Sequence, residues 1–120
     1  MRLKHVVEQL AALAHADRLA AYRLLVQAGP NGMPSGEIAE NLAVQPTRMS
    51  FHLSTLERAN LLRSWRDGRR IRYAASFDEM RRLLGFLSED CCGGRLEICG
   101  HLAESLEAAS SCDEREAPAQ

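Results

Sequence analysis

Three thiols stand close together near the end of this chain. Cys91 and Cys92 are adjacent, and Cys99 follows after six residues. Thiolates are soft ligands that select soft metal and metalloid centres. Exposed thiolates near a helix end are also prone to oxidation, so a regulatory disulfide or persulfide competes with metal capture. Adjacent side chains leave an element in different directions, which argues against a shared packing role for Cys91 and Cys92. A closed tetrahedral zinc site would need a further ligand, from His101, Cys112 or a second subunit. The backbone between Cys92 and Cys99 could extend to about 23 Å, so it must fold back to gather the sulfurs. Gly93 and Gly94 supply the permissive backbone for that. Cys112 lies farther on, among small polar and acidic residues, and reads better as a small hydrophobe.

Charge marks a second chemistry. The chain has 120 residues and a net charge of −1, with 15 basic and 16 acidic side chains. That near-neutrality hides a strong asymmetry. Residues 44–82 hold nine arginines (48, 58, 63, 66, 69, 70, 72, 81 and 82) against four acids, a local charge of +5. Residues 83–120 carry −6, and residues 1–43 are balanced. A basic block of this kind is a candidate polyanion surface. All the cations but Lys4 are arginine, whose flat fork suits phosphates and guanine edges.

Several function classes drop out. No run approaches the ~20 apolar residues that span a bilayer, so no membrane partner is expected. Met1-Arg2-Leu3-Lys4-His5 leads into an amphipathic segment instead of an apolar signal core, and a cytoplasmic protein with reduced cysteines is the expectation. Neither a C-x-x-C redox motif nor a glycine-rich phosphate loop is present, so an enzyme is not expected. At this length one domain suffices.

The elements that must position these groups follow from spacing. Leu3, Val6, Val7, Leu10, Leu13 and Ala14 form an amphipathic helical pattern, and a second helix runs from about Asp17 to the breaker Gly29-Pro30-Asn31-Gly32. Ser35 is a candidate N-cap for a short third helix, Gly36–Leu42. A fourth helix opens at Pro46 and runs to about Asn60, with Met49, Leu53 and Leu56 on one face and Thr47, Phe51, Ser54 and Arg58 opposite. Arg48 and Ser50 lie at its flanks. Two strand-like runs, Leu62–Arg66 and Arg70–Ala75, flank Asp67-Gly68-Arg69, a hairpin signal. Ser76-Phe77-Asp78-Glu79 reads as a capping box for a fifth helix through Leu87, striped by Met80, Leu83, Leu84 and Leu87. A short helix from His101 to Ala109 and a flexible acidic tail close the chain.

This is a mainly α fold with a small β-hairpin, in the order of a winged helix-turn-helix. Leu10–Arg18 (LAALAHADR), Ser35–Ala43 (SGEIAENLA), Pro46–Leu62 (PTRMSFHLSTLERANLL) and Arg66–Tyr73 (RDGRRIRY) resemble the ArsR/SmtB family of metal-responsive repressors. The resemblance covers roughly residues 3–90. It implies a homodimer that occupies double-stranded operator DNA at its own operon and leaves when metal binds. It divides the chain into a DNA-binding and dimerisation domain (1–90), a metalloid-binding segment (91–109) and the acidic tail (110–120). By that resemblance Gln45, Thr47, Arg48, Ser50 and Ser54 would meet DNA, while the hairpin itself places Arg66, Arg69 and Arg70 to reach phosphates or the adjacent minor groove. Phe51 would meet a thymine methyl or pack on the wing. His52 stands in the S-x-H-L motif, as a base contact or as a buried brace of the helix.

The inducer is read from which sites are missing. The family's arsenic site on the recognition helix needs cysteines, and Ser50–Thr55 has none. Its zinc site on the last helix needs histidine, and Phe77–Leu87 has none. Cys91, Cys92 and Cys99 resemble the C-terminal three-cysteine sites of arsenite-responsive members. Ligand counting agrees: three thiolates neutralise a trivalent As(III) or Sb(III) centre, whose lone pair takes the fourth direction. No permanent cofactor is expected. Zinc or cadmium, or thiol oxidation through the same cysteines, is the alternative.

Overall fold

The computed structural model of the protein describes residues 2–88. Five helices and three strands follow in the order α1 (Leu3–Leu13), α2 (Ala16–Ala28), β1 (Met33–Pro34), α3 (Ser35–Leu42), α4 (Pro46–Arg58), β2 (Leu62–Asp67), β3 (Arg70–Ala75) and α5 (Phe77–Ser88). Leu25 of α2, Ile38 of α3, Met49, Leu53 and Leu56 of α4, and Leu61 just beyond it are fully buried together. Their 3- and 4-residue spacing along α4 is what turns one side of that helix into the core.

The helix-turn-helix joint is α3, a tight left-handed turn and α4. Ala43 takes a φ of 54°, while Val44 N–H donates to Ala39 O (3.0 Å) and Ala43 N–H to Glu40 O (3.3 Å). These bonds occupy carbonyls that the end of α3 would otherwise leave open. Pro46 then opens α4, where its missing N–H is harmless. At the far end Asn60, with a φ of 65°, donates to Glu57 O (2.9 Å) and Leu61 to Leu56 O (3.1 Å), so the chain turns directly into β2.

The expected hairpin belongs to a three-stranded antiparallel sheet in the order β1-β3-β2. Strand β1, two residues long, pairs Met33 with Tyr73 and Pro34 with Arg72. This pairing corrects the N-cap expected at Ser35. Pro34 is held extended by the sheet and occupies the cap position itself, so Ser35 is already helical. Asp67 pairs with Arg70, leaving Gly68-Arg69 as a two-residue loop with positive φ at Gly68 only, the pattern of a type II′ turn.

The apolar pattern of α1 divides between two faces. Val6, Gln9 and Ala12 are buried, whereas Leu3 (67%), Val7 (55%) and Leu10 (41%) remain exposed. Gln9 anchors the inner face: its Nε2 donates to Ala59 O (3.1 Å) and to Glu79 Oε2 (2.8 Å). His5 Nε2 lies 3.2 Å from the same carboxylate oxygen. Burial alone would raise the Glu79 carboxyl, but hydrogen bonds from Gln9, His5 and Arg82 outweigh it and hold it below the ordinary value. Only half of the expected capping box therefore forms. Ser76 Oγ accepts from Glu79 N–H (3.4 Å), but Ser76 N–H already donates to Leu61 O (2.9 Å), leaving the Glu79 side chain to join α5 to α1. Along α5, Leu83 is buried, Met80 and Leu84 are half-buried, and Leu87 is exposed.

Gly32 is where the β1 crossing depends on glycine. Its φ is +63°, and a Cβ there would overlap the carbonyl oxygen of Tyr73. Gly32→Ala should destabilise the protein by at least the ~1–2 kcal/mol of a left-handed non-glycine residue. Thermal or urea unfolding measures this, and an unaltered midpoint would contradict the close crossing.

Candidate nucleic-acid interface

Because Met49, Leu53 and Leu56 point inward, the opposite side of α4 must face outward. Gln45 at its N-cap, Thr47, Arg48, Ser50, Phe51 and Ser54 are all exposed, Phe51 by 68%. This is the expected set, gathered on one helix surface that begins at the N-terminus. Phe51 does not pack on the wing; its ring is presented to solvent. Glu57, in the last turn of the helix, accepts a hydrogen bond from Ser64 Oγ of β2 and so joins the wing to α4.

The wing positions its arginines by strand alternation. Arg66 is opposite Ile71 and Asp67 opposite Arg70, so Arg66 and Arg70 leave opposite faces of the ribbon while Arg69 occupies its tip. All three are exposed.

The arginines of the basic block fall into two kinds. The guanidinium groups of Arg48, Arg66, Arg69 and Arg70 make no hydrogen bond or ion pair with any described residue. Arg63, by contrast, donates to Pro30 O (2.7 Å) and lies 4.7 Å over the Trp65 ring. Arg72 binds Asp67 Oδ2 (3.2 Å), Asn31 O (3.2 Å) and Gly32 O (3.3 Å), fixing the loop before β1. Arg82 and Arg81 pair within α5 with Glu79 and Asp78. Charge density in the sequence cannot separate structural arginines from open ones; partner geometry does.

His52 is the brace and not a base contact. It is 7% exposed, on the inner side of α4 against the start of α2. Arg18 NH1 donates toward its Nδ1 (3.5 Å), while Arg18 Nε holds Ala12 O (2.6 Å). The His15 ring lies 4.6 Å from the His52 ring, and Asp17 Oδ2 is 3.8 Å from its Nε2. Burial pushes the His52 pKa down, reinforced by the neighbouring His15 and Arg18, and the Asp17 carboxylate offsets only part of this.

Cys91, Cys92 and Cys99 lie outside the described residues, as do the segment 91–109 and the acidic tail. Among the described residues no helix is long and apolar enough to cross a membrane.

A helix-turn-helix family model matches residues 13–64. The nodulation protein NolR of Rhizobium meliloti is 30% identical over 100 residues, a match covering 73% of this chain and 82% of that protein. The crystal structure of NolR from Sinorhizobium fredii superposes with a TM-score of 0.57 at 31% identity, covering 72% of this chain and 83% of that one. The homodimeric winged helix-turn-helix DNA-binding domain of Mycobacterium bovis Mb0332, described as a possible ArsR-family transcriptional regulator, superposes with a TM-score of 0.60 at 25% identity, covering 73% of this chain and 82% of that one. The chain belongs to the ArsR family of winged-helix transcriptional regulators. The resemblance drawn from the sequence is thereby established at the level of family and fold. ArsR relatives are regulators, which fits the expectation of a non-enzyme.

In this ArsR chain, Arg69→Ala and Arg70→Ala should each flatten the dependence of log K on log salt for duplex binding by about one unit per lost phosphate contact. Arg72→Ala, whose guanidinium is already engaged, should leave that slope in place. Unchanged slopes for both Arg69 and Arg70 would remove the wing tip from the phosphate footprint.

Proposed function

We propose that the chain is a homodimeric repressor that holds double-stranded operator DNA in its metal-free state and releases it when As(III) or Sb(III) binds Cys91, Cys92 and Cys99. The observation that carries the DNA half is the coincidence of an exposed α4 surface with four arginines whose guanidinium groups hold no hydrogen bond or ion pair among the described residues. The side chains of Gln45, Thr47, Arg48, Ser50, Phe51 and Ser54 would enter the major groove, helix N-terminus first. Phe51 would offer its ring to a thymine methyl. Arg66, Arg69 and Arg70, leaving the wing in different directions, would meet phosphates on either side of the adjacent minor groove.

The outward apolar stripe Leu3, Val7 and Leu10, with Leu87 of α5, supports the dimer. Exposed apolar residues at 3- and 4-residue spacing on one helix await a partner surface. A second copy of the chain would supply one, and the similar Mb0332 domain is itself homodimeric.

The cysteine trio follows α5 directly in sequence. Each thiol gives a proton to a hydroxide of arsenous acid, which leaves as water, and three As–S bonds replace three As–O bonds. Closing that loop would displace α5, and Glu79 couples α5 to α1 through Gln9 and His5. Any shift of these two helices alters how far apart a dimer holds its two α4 helices. Linkage makes the effect reciprocal, about 5–150-fold in affinity for a typical coupling.

A gel shift with DNA from the chain's own operon, titrated separately with arsenite, antimonite, zinc, cadmium and peroxide, tests the inducer. Cys91→Ser should bind the operator as tightly as the parent and no longer release it on arsenite. Normal arsenite release from that variant would overturn the three-thiol site. Release by zinc, cadmium or peroxide alone would replace the metalloid with the competing reading.

A further inference from the structure

The start of α2 and the inner face of α4 bring together three metal-ligating side chains that DNA reading does not use. His15, Asp17 and His52 each offer one ligand atom, and these atoms lie within 4.8 Å of one another. His15 is exposed, Asp17 half-buried and His52 buried. His52 Nε2 is buried and has no hydrogen-bond partner among the described residues. A buried polar nitrogen left without a partner is costly, and it points here into the cluster with the Asp17 carboxylate 3.8 Å away. For a tetrahedral ion with bonds of about 2.0–2.1 Å, neighbouring ligand atoms stand about 3.4 Å apart. The separations therefore need only small side-chain adjustments.

We propose that His15, Asp17 and His52 form a site for a divalent first-row transition metal of the Zn(II) class, with water in the fourth position. Two borderline imidazole nitrogens and one hard carboxylate oxygen make a donor set that suits such an ion, unlike the soft thiolate trio. His15 Nδ1 caps Asp17 N–H (3.2 Å), so binding through Nε2 would keep that cap and binding through Nδ1 would give it up. His52 would bind through Nε2, and its single imidazole proton would then reside on Nδ1. Arg18 NH1, now directed at that Nδ1 from 3.5 Å, must turn away, while its Nε can keep Ala12 O. The ion would pin the first turn of α2 to α4, directly behind the surface that carries Arg48 and Phe51.

Co(II) serves as the probe, added to the full-length chain with all four cysteines (Cys91, Cys92, Cys99 and Cys112) changed to serine. The site is expected to give visible d–d absorption at one Co(II) per chain, without a thiolate-to-cobalt charge-transfer band. Zn(II) should displace it. His15→Asn preserves capping ability while removing the imidazole, and Asp17→Asn is isosteric. Each should weaken Co(II) binding at least about tenfold, since even outer-shell losses weaken metal sites by 10–100-fold. Both metal-free variants should keep the parent's far-ultraviolet circular dichroism. The same substitutions in the chain with its cysteines should abolish the same d–d band. Absence of that band, or undiminished Co(II) affinity in both variants, would overturn the site. Either result leaves the arsenite response of the cysteine trio untouched, so the two readings fail separately.

Discussion

The structure depends on one helix being clamped along one side only. Met49, Leu53 and Leu56 have no exposed surface, and His52, beside them, is braced by Arg18 and faces Asp17. These contacts fix both the axis and the rotation of α4. Rotation matters because 100° separates successive residues on a helix. A turn of that size would carry Phe51 and Ser54 away from the outer surface and drive a core leucine into water. The burial of three apolar side chains thus decides which polar groups can read anything.

The same logic extends outward. The left-handed turn at Ala43 sets the angle between α3 and α4, and Asn60 sends the chain straight into β2. The wing is therefore a rigid continuation of the α4 end, held by Ser64 and Glu57. Its open arginines follow from geometry as much as from charge. Arg72 and Arg63 are spent on the loop around Pro30–Gly32, which leaves Arg66, Arg69 and Arg70 projecting beyond the sheet. On the other side of the molecule, Glu79 makes α1 and α5 one unit, whose outward leucines and Val7 define the dimer surface proposed above.

Much of this was legible in the residues. The 3.6-residue spacing of Met49, Leu53 and Leu56 exposes the α4 register, and the turn at Gly68 marks the wing. Strand β1 was not legible: two residues carry no periodic signal, and only pairing with Tyr73 and Arg72 defines it. The stripe on α1 was visible, but sequence spacing does not say which apolar residues meet the core. Polar Gln9 turned out to be buried because Ala59 O and Glu79 offer it partners. His52 had two readings until its depth was known. The cluster with His15 and Asp17 was not legible because His52 is 35 residues from Asp17 and 37 from His15, and they meet only through the α2–α4 packing.

Paired copies of α4, each locked by its apolar face, would read a two-fold symmetric duplex. Selection of duplexes from a random pool, followed by footprinting of the bound species, tests it most directly. The expected result is an inverted repeat whose half-site centres lie about 10–10.5 base pairs apart or a multiple of that. Recovery of a single asymmetric half-site, or no enrichment at all, would contradict it.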